Sequence, residues 1–178
     1  MADLTTSTLP PADKAPTPFT HTRISALFSR LIVALTTFIE AERDIEDVDV
    51  WDPAFDGWLG AAETAQTEVT TLITEIRTTA PVRAADRPLA RMTLSLDGML
   101  GAEYRGDYLH FRGLLDKYAP LFRAQGSDVV AYRVNALLQS ARQRVEDLAT
   151  LDCLADDAPN VVPDLEAEID ADALTLTA

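Results

Sequence analysis

The chain has 178 residues, 47% of them hydrophobic, and carries 15 Lys and Arg against 29 Asp and Glu, a formal net charge of −14. That is one domain with enough apolar material for a sizeable core, and its field repels phosphate and anionic lipid, which argues against nucleic acid or a membrane surface as the partner. A single cysteine, Cys153, excludes an internal disulfide and a multi-cysteine zinc site, and two histidines, His21 and His110, exclude most histidine-rich metal centres.

Residues 1–18 hold Pro10, Pro11, Pro16 and Pro18 among threonines and alanines, with little to bury. This segment reads as a disordered arm. It has neither the basic start nor the apolar run of a signal peptide, and the longest apolar run of the chain, residues 31–35, is far short of the roughly 20 residues of a membrane span. A cytoplasmic protein is expected.

The helical domain is expected over residues 19–156. Thr20 reads as the cap of a first helix, with Phe19 and Ile24 placed for a hydrophobic staple. Ile24, Leu27, Phe28, Leu31, Leu35, Phe38, Ile39 and Ile45 follow steps of three and four to about residue 47, with Glu42 the one polar member of the stripe. Asp52 and Pro53 restart a helix. Its stripe is Phe55, Trp58, Leu59, Ala62, Val69, Leu72, Ile73 and Ile76, and Pro81 ends it. Trp51 and Trp58 flank the cap and read as packing residues.

Asp86, Arg87 and Pro88 start the third helix. It carries two stripes, Leu89, Met92, Leu96, Met99 and Leu100, then Tyr104, Tyr108, Phe111, Leu115, Tyr118 and Phe122. These differ by roughly a quarter turn. The slip falls where Gly98, Gly101 and Gly106 cluster, so a bend or break is expected over residues 96–106. Gly126 and Ser127 introduce the last helix, with Val130, Val134, Leu137, Leu138, Ala141, Val145, Leu148 and Leu151 on its stripe. The fold expected is an all-α, antiparallel up-down four-helix bundle with a bent third helix and disordered termini.

Candidate chemistry is thin. Glu103, Asp107 and His110 stand four and three residues apart on one helical face, the spacing of half a carboxylate-bridged metal site. They support an alternative reading, a small-molecule- or metal-binding bundle, in some versions an enzyme, with its site near the bend. No second such motif exists, and no phosphate loop or nucleophilic triad is complete, so no cofactor is implied. Charge is more informative. Bases outnumber acids over residues 77–144, and residues 146–172 hold acids alone. Arg105, Arg112 and Arg123 mark a positive side of the third helix. In the tail, residues 157–178, Leu165, Ile169 and Leu176 fit one face of a short acidic helix that orders only against a surface. The function expected is non-enzymatic: an adaptor or regulatory bundle, monomer or homodimer, whose partner is another protein.

Overall fold

The structure, a computed structural model, describes residues 20–46, 48–49 and 51–151. Among these the regular structure is entirely helical: α1 (Arg23–Glu46), α2 (Phe55–Thr78), α3 (Asp86–Leu100), α4 (Arg105–Lys117), a single 3-10 turn (Ala119–Phe122) and α5 (Val129–Leu148).

α1 buries Ile24, Leu27, Phe28, Leu31, Leu35, Phe38 and Ile39, the stripe that three-and-four spacing places on one face. Its first turn is capped by Thr22 and not by Thr20: Thr22 Oγ1 accepts from the Ser25 amide at 3.1 Å. Phe19 lies outside the described residues. By length and composition α1 also qualifies to cross a membrane, but here its apolar face is packed into the domain core. α5 begins one residue later than expected, because Asp128 and not Ser127 reaches the third amide, accepting from Ala131 at 2.7 Å. Gly126 before it has φ 111°, a left-handed value that favours glycine.

The stretch expected as one bent helix forms two helices lying side by side. α3 ends at Leu100, and 101–104 reverse the chain into α4. Gly98 lets α3 and α4 approach closely: a Cβ there would sit 2.6 Å from the Phe111 ring, which would have to move. Lower down, Arg91 donates to the Leu121 carbonyl at 3.1 Å, which fixes α4 and the 3-10 turn antiparallel to α3.

Further contacts fix the directions of the rest. Thr22 and Ser25 border one small cleft with Val130 and Val134, Arg144 reaches Thr36, and Arg43 reaches Thr150, so α5 runs parallel to α1. Phe38 shares a cleft with Val69, Ile73 and Leu100, and Thr22 bonds Asp86 at the other end; α3 therefore also parallels α1 while α2 opposes both. α1, α3 and α5 touch one another, α2 lies against α1 and α3, and α4 packs on α3. The core between them is continuous, from Phe28 and Leu31 through Met92, Leu96 and Met99 to Leu138 and Val145. Among the described residues no buried side-chain nitrogen or oxygen lacks a hydrogen-bond partner.

Asp86 was expected to cap α3, yet it bonds backward. It is 2% exposed; its Oδ2 accepts from the amides of Val82 (3.0 Å) and Arg83 (2.9 Å), and its Oδ1 accepts from the Thr22 hydroxyl at 2.7 Å. One carboxylate thus shapes the α2–α3 link and fastens it to the start of α1. Asp86→Ala strands two backbone amides, and is expected to lower unfolding free energy by about 3 kcal/mol. Thr22→Val removes one donor and is expected to cost about 1.5 kcal/mol by the same measure. Urea denaturation of both variants checks the order.

Candidate interaction surface

Tyr108 seats α4. Its side chain is buried and its hydroxyl donates to the Val145 carbonyl of α5. Burial first, and the nearby Glu146 carboxylate second, push its phenol up to about 12, against a smaller opposing pull from Arg112. One turn on, Arg112 grips Glu146 with both prongs, Nε to Oε1 at 3.1 Å and Nη2 to Oε2 at 2.7 Å. Arg142 answers from α5, donating to the Leu115 carbonyl at 3.3 Å and lying 3.6 Å from Asp116. The α4–α5 seam is therefore closed by its own charges.

This divides the three arginines singled out from the sequence. Arg112 is engaged within the fold. Arg105, the first residue of α4, is half-buried, and Arg123 is exposed just beyond the 3-10 turn. Arg123 borders a cleft of about 300 Å³ with Phe122, Asn135, Gln139 and Arg142. Asn135 holds the cleft's backbone in place, accepting from the Ala124 amide at 2.9 Å and donating to its carbonyl at 3.1 Å. The cleft suits an acidic side chain at Arg123; Arg142 beside it is turned to the Leu115 carbonyl and Asp116.

Glu103, Asp107 and His110 are all exposed. α4 turns Tyr108 and Leu115 inward, which leaves these three on its outer side. No group of three His, Cys, Asp or Glu side chains able to hold a metal ion occurs among the described residues. Leu165, Ile169 and Leu176 lie outside the described residues, as does Cys153. The threonines of α2 border a larger open cleft, about 410 Å³, but Thr67, Thr70, Thr71 and Thr74 each donate their hydroxyl to a carbonyl one turn back.

Aromatic residues expected in the core lie partly outside it. Trp51 is 87% exposed, Trp58 36% and Leu59 39%, while Phe55 is half-buried. Phe55, Trp58 and Ala62 do continue the α2 stripe, but α3 ends at Leu100, level with Gln66 and Val69. About three turns of α2 project past it. Comparing the 15 residues of α3 with the 24 of α2 would have exposed this mismatch, once the break at Gly101 was placed. At the same end, Glu42 is held above the ordinary carboxylate range, by burial first and by Glu46 second.

Comparison with protein-family models, with curated proteins and with solved structures gave no match.

Two outcomes follow from these environments. Tyr108→Phe deletes one buried hydrogen bond and is expected to cost about 1 kcal/mol at pH 7. Because the folded phenol has the higher pKa, its stabilising effect is complete below the unfolded value of 10.0 and is lost as pH rises toward about 12. Alkaline titration of stability between these pH values is expected to fall more steeply for the unsubstituted protein than for Tyr108→Phe. For Glu42 the folded pKa is also raised, so its charge is a burden that grows as pH rises above the ordinary 4.5. Glu42→Gln is expected to raise the melting temperature by about 2 °C at pH 7, and to change nothing at pH 4. Scanning calorimetry at the two pH values decides it.

Proposed function

We propose that this chain is a non-enzymatic interaction protein, an adaptor or regulator whose up-down helical bundle is the scaffold and whose C-terminal segment recognises another protein in the cytoplasm. The observation that carries the reading is the closed α4–α5 seam. Arg112 is held bidentate by Glu146, and Arg142 by Asp116 and the Leu115 carbonyl. Two bases of the side on which the acidic tail would otherwise fold back, Arg112 and Arg142, are engaged by the bundle's own acids. Leu165, Ile169 and Leu176, interleaved with Asp164, Glu166, Glu168, Asp170 and Asp172, then call for a basic-rimmed apolar groove on a partner. Pro159 and Pro163 bound the link that gives the segment reach.

Removal of residues 160–178 tests the reading. Unchanged melting with loss of the proteins recovered from native lysate is the expected result. A melting temperature lowered by about 4 °C or more would place the tail on its own bundle.

A further inference from the structure

The end of the bundle where α1 gives way to α2 joins exposed aromatic surface to concentrated negative charge. Trp51, Phe55, Trp58 and Leu59 form its apolar part, and Trp51 is almost fully open. Gly57 and Gly60 intervene, and nothing lies within 4 Å of where their Cβ atoms would stand. The aromatic side chains therefore rise from bare, accessible backbone. Asp56 and Glu63, two turns apart on α2, lie on either side of Leu59 along the helix. Glu42, Glu46, Asp49 and Asp52 add charge from the end of α1 and the link. The one base in residues 40–76 is Arg43, and its guanidinium is turned to Thr150, just beyond α5.

We infer that this end of the bundle is a docking surface for a basic amphipathic segment of another protein, its apolar side on Trp51, Phe55, Trp58 and Leu59 and its lysines or arginines against Asp56, Glu63 and their neighbours. Three properties select that occupant. Tryptophan in a hydrated patch gains most by burial in an interface, and its ring face also attracts cations. The acidic rim rejects the acidic C-terminal segment of this same chain, and it rejects a second copy by repulsion of like charge. Nucleic acid and anionic lipid are repelled for the same reason. This surface is separate from the C-terminal tail, whose charge has the same sign.

Both tryptophans of the chain lie here, so emission excited selectively from tryptophan reads this site alone. The probe is a synthetic helical peptide of leucine and lysine, with leucine at three-and-four spacing; its counterpart has glutamate in place of lysine. The lysine peptide is expected to shift tryptophan emission to the blue and to bind at least tenfold more weakly at 0.5 M than at 0.05 M salt, since the rim is solvent-exposed. Trp58→Ala, and separately Asp56→Lys with Glu63→Lys, are each expected to weaken binding at least tenfold, with Trp51 still reporting. Glu68→Lys with Glu166→Lys changes net charge equally at other places and is expected to leave binding within twofold. Deletion of residues 160–178 is expected to do the same, which separates this site from the tail's function. Equal shifts from the glutamate peptide, equal loss in the two charge-reversed pairs, or a concentration-dependent blue shift without peptide would each overturn the inference. Circular dichroism melts of every variant confirm that the bundle is intact.

Discussion

The decisive constraint is where α3 stops. α1 and α2 are each 24 residues long, about 36 Å of helix, and α3 has only 15 before the chain reverses at 101–104. A helix continued through Gly101 would have run alongside the whole of α2 and covered Trp58. Instead the chain folds back, and Gly98 lets the Phe111 ring approach closely. Reversal lays α4 on α3 as a fifth helix and removes the cover from the first turns of α2. A closed interior and an open aromatic end are thus two consequences of one local break.

The same reversal sets the electrostatics. Once α4 lies against α5, Arg112 meets Glu146 and Arg142 meets Asp116, although each pair is far apart in sequence. Exposed pairs contribute little stability individually, typically 1 kcal/mol or less. They also lower the net positive charge that this side presents to a partner. Arg123, beyond the 3-10 turn, escapes that arrangement and borders a cleft instead. At the opposite extreme, Asp86 shows what a carboxylate does when buried. Its three hydrogen bonds spend it wholly on structure, tying the α2–α3 link to α1.

Periodicity made the helices legible because burial acts through spacing. The stripes of α1 and α5 are close to the residues that are buried, and the quarter-turn slip between Leu100 and Tyr104 coincides with the reversal. Caps were less legible. Thr22 and Asp128 satisfy the amides three residues on, whereas Thr20 and Ser127 are equally suitable by residue type, so the choice depends on backbone path. Packing extent was legible only through the unequal lengths of α2 and α3. Trp58 sits in phase with Ala62 and Val69, and phase says which way a side chain faces without saying whether anything stands opposite. The Glu103, Asp107 and His110 set shows the complementary limit: spacing put them together, but Tyr108 and Leu115 decided that their side faces water.

Net charge alone would rank every acidic segment of this chain as equivalent. Local context separates them. In residues 157–178 the acids alternate with aliphatic residues and no aromatic residue stands among them. At the α1–α2 end the acids of both helices and their link stand beside Trp51, which the fold leaves in water, and Trp58, which it covers only in part. Hydrated tryptophan is a cost that a solitary domain gains nothing from keeping, and replacing Trp51 or Trp58 by a polar residue would remove it without disturbing a core of which neither is a fully buried part. A rim that repels copies of the same chain keeps that surface from driving self-association. Apolar attraction opposed by like charge is the combination that favours a partner of opposite sign over every other molecule the surface meets.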